Sequence, residues 1–165
     1  DKPRVDEVLT LLEKCQIAHF ACHGVSDAID PSRSGLILQK ATPAGEEQDL
    51  LSVYRIAHLQ LDRAKIAYLS ACSTAENKAV RLSDEMIHIV SGFQLAGFPH
   101  VIGSLFPAGD DECVTVACHF YSSIFSLRAI DSEQIAMALH DAVTVVRAKE
   151  LAMPLLWAQF VHFGI

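Results

Sequence analysis

The chain has 165 residues, 51% of them hydrophobic, with a formal charge of −7 and a pI near 5.5. This is the length of one domain with enough apolar residues for a sizeable core, and the acidic balance, with no Lys/Arg cluster against it, argues against a nucleic-acid partner. The longest apolar region, 86–109, is broken by His88, Ser91, Gln94, Gly97, Pro99, His100 and Gly103, too often for a bilayer span, so no membrane partner is expected.

Five cysteines, with no CxxC and no secretory segment at the start, suit free thiols in a reducing compartment, and the expected location is cytoplasmic. The first residue is Asp1 rather than Met, which predicts a single domain over 1–165 excised from, or ending, a larger protein.

Residues 5–15 place Val5, Val8, Leu11, Leu12 and Cys15 on one helical face. Gln16–Cys22 then reads as a strand, with Ile17, His19 and Ala21 on one side and Ala18, Phe20 and Cys22 on the other. Both sides are mostly apolar, as in a parallel sheet covered on two faces. Residues 25–35 are loop-like, "GLILQ" predicts an edge strand or hairpin arm, and 40–50 is again loop-like. Ser52 is placed to cap a short helix through His58.

Lys65–Ala71 is a second strand. Asp84–Ala96 carries Met86, Ile89, Val90, Phe93 and Ala96 on one helical face, with Gly97 where a left-handed cap belongs. A third strand spans 100–106 and closes at Pro107–Gly109. Asp110 is expected to cap a helix to about Leu127 that buries Val114, Ala117, Tyr121 and Ile124. Asp131 and Gln134 form a capping-box variant for a helix over about 132–150, burying Ile135, Leu139, Ala142 and Val146. "WAQFVHF" is a last strand. Alternating strands and helices predict an α/β fold with a mainly parallel sheet.

In such sheets reactive residues collect beyond the carboxyl ends of the strands. Cys22, His23 and Cys72 are placed there. A cysteine nucleophile needs a base to make thiolate and backbone N–H groups to hold an oxyanion. His23 and Cys72 lie 72 − 23 = 49 residues apart, close to the separation of about 50 found between caspase histidine and cysteine. Gly24 lets the backbone bring an N–H against a substrate carbonyl, and Cys72 would supply the other.

The stretches "HFACHG", "LQLDRAKIAYLSACST", "DEMIHIVSGFQLAGFPHVIGSLFPAGDD" and "WAQFVHFG" resemble the CHAT family of caspase-like cysteine peptidase domains, related to separase and commonly attached to tetratricopeptide repeats. The resemblance runs from about residue 16 to the end. It implies a caspase-like three-layer sandwich, His23 and Cys72 as the catalytic pair, and Gly24 at the oxyanion position. It also implies a specific protein or peptide substrate and control by an attached repeat region or regulatory partner. Ser73 stands where the family usually has Glu or Asp after the cysteine, which bears on substrate preference. Family members usually have a strand, a helix and another strand before the histidine strand, so the resemblance further implies a sheet lacking its first strands. By the same resemblance the loop after the third strand makes Leu105, Phe106 and Asp110 substrate-pocket candidates, an acidic wall for a basic side chain.

Blander readings stand beside these. Cys72 is also readable as a buried structural thiol, and His23 as a loop hydrogen-bonding residue. Cys22 is read as packing, His19 as a satisfied core histidine, and Cys113 and Cys118 as structural. The adjacent pairs Cys22/His23 and Cys118/His119 lack the ligand separation of a zinc site, and no organic cofactor is needed for the chemistry. Two functions follow: a cysteine endopeptidase working through an acyl-enzyme, or a catalytically silent scaffold or interaction module.

Overall fold

The structure, a computed structural model, describes residues 3–25, 27, 29–70, 82–105, 109–126 and 131–164, with the backbone alone at 82–86. Seven strands, β1 (Ile17–Phe20), β2 (Gly24–Val25), β3 (Gly35–Thr42), β4 (Gly45–Ser52), β5 (Ile66–Leu69), β6 (His100–Ser104) and β7 (Phe160–Gly164), form two sheets. The five α-helices are α1 (Val5–Leu12), α2 (Val53–Ala57), α3 (Leu82–Ala96), α4 (Asp110–Ser126) and α5 (Ser132–Lys149).

The larger sheet has the order β1-β5-β6-β7, with β1, β5 and β6 parallel and β7 antiparallel to β6. All four residues of β5 are buried, because both faces of this sheet are covered. On one face Ala18, Phe20, Ala67, Leu69 and Val101 pack against Leu12 of α1, Ile56 of α2, Phe93 of α3 and Leu36 and Leu51 of the smaller sheet. On the other, Ile66, Tyr68 and Ile102 pack against Val116, Phe120 and Ile124 of α4 and Ile135, Leu139 and Val146 of α5. The result is the expected three-layer sandwich. At the outer edge, among the described residues, β1 pairs with β5 alone.

Local chemistry sets the helix ends. Ser52 Oγ accepts from Arg55 N–H at 3.3 Å and caps α2 as the sequence predicts. Asp131 and Gln134 form the full reciprocal capping box on α5, and all four expected α5 core residues are buried. After α3 the chain turns through Gly97 at φ 119°, where a Cβ would collide with the Leu61 carbonyl oxygen. Arg55 ties three elements together by reaching Asp6 of α1 at 2.7 Å and Asp49 of β4 at 3.4 Å.

Three expectations need correction. Residues 40–50 are not a loop: β3 and β4 form an eight-residue-pair antiparallel hairpin joined at Thr42↔Gly45, with Pro43 and Ala44 at the tip. The polar run from Gly45 to Gln48 is exposed on both faces, so it shows no period-2 pattern. A Cβ at Gly35 would collide with the Leu51 carbonyl, which makes glycine obligatory where β3 begins. The buried face of α4 is turned from the one expected: Val116, Ala117, Phe120 and Ile124 are inside while Val114 is 61% exposed. In α1, Val5 and Leu12 are buried but Leu11 faces solvent.

Candidate active site

Parallel strands aim their carboxyl ends at one side of the sheet, and β1 and β5 lead there into a cleft of about 430 Å³. His19, Ala21, Cys22 and His23 from the β1 end, Ser70 from the β5 end, and Asp110, Cys113, Val114 and Ala117 of α4 line it. The α4 residues recur at i, i+3, i+4 and i+7, one helical stripe forming a wall. Of the residues singled out in the sequence, His23 and Asp110 therefore share one cavity. Cys72 and Phe106 lie outside the described residues, with Ser70 two positions before Cys72 in the sequence. Leu105 is not among the residues lining the cleft; its N–H donates to the Gln159 carbonyl at 2.9 Å.

His23 is exposed and sits at the junction of the two sheets. Its carbonyl accepts from Ile37 N–H at 2.8 Å, which anchors it to the hairpin. With Gly24 opposite Leu36 and Val25 opposite Gly35, the 23/37 contact makes 24/36 a non-hydrogen-bonded pair. The Gly24 N–H consequently turns away from β3. A Cβ on Gly24 would meet the Gly35 carbonyl oxygen at 3.7 Å and Ile89 Cδ1 at 3.8 Å, ordinary contacts on the α3 side. Strand register, rather than the missing side chain, turns that N–H away from β3; Gly24 itself is buried and is not among the residues lining the cleft.

Cys22 is half-buried, and burial pushes its thiol up to about 11, which fits packing rather than nucleophilic chemistry. His19 departs from the core reading: its side chain opens on the cleft. One side of its ring packs on Tyr68 (centroids 4.7 Å apart) and Tyr121 (5.6 Å), and Nε2 meets Ser70 Oγ at 3.0 Å. Burial against those rings holds its protonation below the usual histidine range. Cys113 contributes to the cleft wall, and Cys118 is exposed rather than packed. Sequence reasoning missed the His19–Ser70 pair; the available signal was a polar residue near the carboxyl end of each of two apolar strands.

Among the described residues no three His, Cys, Asp or Glu side chains gather as a metal site, and no helix is long and apolar enough to cross a membrane.

A three-layer sandwich with a mainly parallel sheet, opening at its strand ends on a histidine-bearing cleft, defines a caspase-like α/β protein. The family model for the CHAT domain matches residues 2–165, and the chain belongs to that family. Membership implies the caspase-like fold and a relation to cysteine peptidases. No curated protein matches the chain.

Proposed function

We propose that the protein is a cysteine endopeptidase acting through His23 and Cys72 on a specific protein substrate. The observation that carries this is His23 lining a cleft at the carboxyl ends of β1 and β5, followed by Gly24, whose N–H is turned away from β3. His23 takes the Cys72 thiol proton, and the thiolate attacks the scissile carbonyl carbon. The N–H groups of Gly24 and Cys72 hold the resulting oxyanion. The tetrahedral intermediate collapses as imidazolium returns the proton to the leaving amine, and water then hydrolyses the thioester. Asp110, in the wall facing His23, favours a basic side chain ahead of the scissile bond. Control comes from an attached repeat region or regulatory partner.

The test compares the full-length protein with Cys72→Ala and His23→Ala by terminal-peptide mass spectrometry of a lysate of the source cells. New termini that vanish in both variants, enriched for Arg or Lys ahead of the cut, support the reading. Identical termini in all three samples favour a silent scaffold.

A further inference from the structure

The ladder between β1 and β5 ends at Phe20↔Leu69, and His23 and Cys72 each lie three residues beyond those last partners. A side-chain contact joins the two strands near that end: His19 Nε2 and Ser70 Oγ lie 3.0 Å apart within the cleft. His19 sits opposite Tyr68, so Ser70 is its diagonal neighbour one step further along β5. Both side chains point to the α4 face, where one side of the imidazole packs at a tilt on Tyr68 and Tyr121 and the other is open to the cleft. Tyr121 is itself stacked on Phe125 at 14°. The tilted contacts on one side and the bond to Ser70 together orient the ring.

Resting on the peptidase reading, we propose that His19 and Ser70 form a positioning clamp that locks the carboxyl ends of β1 and β5 together and so fixes the approach of His23 to Cys72. The clamp gives both residues a positioning role and leaves the proton transfer to His23. Hydrogen bonds at this distance constrain geometry at small energetic cost, whereas misplacing reacting groups by about 1 Å costs up to a hundredfold in rate. The arrangement therefore matters more to reactivity than to stability. The neutral imidazole that burial favours forms the bond as acceptor or donor according to its tautomer.

The test follows alkylation by iodoacetamide, residue by residue, in the folded full-length protein, together with kinact and KI for a peptidyl acyloxymethyl ketone bearing arginine. Variants are Ser70→Ala, His19→Phe, which keeps the ring packing and loses the bond, His19→Gln, which keeps a hydrogen-bonding terminus, and the Ser70→Ala/His19→Phe double. The clamp predicts that Ser70→Ala and His19→Phe each slow Cys72 labelling and kinact about tenfold. KI, Cys22 labelling and melting temperature should stay unchanged. The double variant should be no slower than either single, and His19→Gln should recover part of the rate. Wild-type rates in Ser70→Ala and His19→Phe overturn the clamp while leaving the peptidase reading intact; so do additive losses, or losses that track a lowered melting temperature. Wild-type Cys72 labelling no faster than Cys22 overturns the peptidase reading itself, and the clamp with it.

Discussion

The main sheet places histidines in two opposite settings. At the carboxyl ends of β1 and β5, His19 within β1 and His23 beyond it line a cleft of about 430 Å³. At the amino end of β6, His100 is 6% exposed and its Nδ1 lies 3.1 Å from His162 Nε2 of β7. Ser132 at the start of α5 stands over the far nitrogen at 3.4 Å. Burial lowers the protonation of His19, His100 and His162 alike, and for His162 the neighbouring His100 lowers it further. Burial therefore does not separate His19 from the His100–His162 pair. Access does: one end opens on a cleft, and at the other His100, His162 and Ser132 contact one another.

The largest contrast comes from the open end. Cys72→Ala or His23→Ala should reduce peptide cleavage by about a thousandfold or more, while the exposed His23 position leaves the melting temperature of His23→Ala at the wild-type value; kinetics and thermal melting check both. At the sealed end the effects reverse. A Cβ at Gly164 would meet both His162 Nε2 and His100 Nδ1 closer than real contacts allow. Gly164→Ala should lower stability by about 1–3 kcal/mol in denaturant titration without changing Cys72 labelling.

A smaller effect is expected for Asp110→Asn. It should cut kcat/KM about tenfold for peptides with arginine ahead of the scissile bond and leave uncharged peptides unaffected. Equal losses on both would remove Asp110 from specificity. The smallest effect is on pH dependence. Above the ordinary histidine value of 6.5 the native state lacks nothing. As pH falls below it, the unfolded chain takes up protons that the native histidines resist, so stability declines with acidification. Thermal melts from pH 7.5 to 5 should show this decline, shallower in His162→Gln; an unchanged slope would deny the His100–His162 pair a share.

The helix α5 was legible because cap and periodicity agree: Asp131 and Gln134 mark its start, and Ile135, Leu139, Ala142 and Val146 hold one face through its length. In α4 the apolar residues surround more of the helix. Val114 borders the cleft while Val116 and Phe120 fill the core, so period alone could not fix the rotation. The strand β4 was hidden because its pairing comes from β3 across a two-residue tip, and its outer half buries nothing. For His19, alternation could not say which face of a doubly covered strand would open on a cleft. The sequence marks His23 and Asp110 as site residues, and the cleft they share is a product of tertiary packing.

The junction at His23 has a mechanical meaning. Three residues, Ala21 to His23, separate the end of β1 from the start of β2, a reach of at most about 11 Å. The third is clasped by Ile37 of the hairpin. A link so short has no slack to absorb a rotation between the two sheets. The β3–β4 arm, whose eight residues extend roughly 26 Å, is thus tied to the backbone of His23, and a rotation between the sheets would carry that backbone with it.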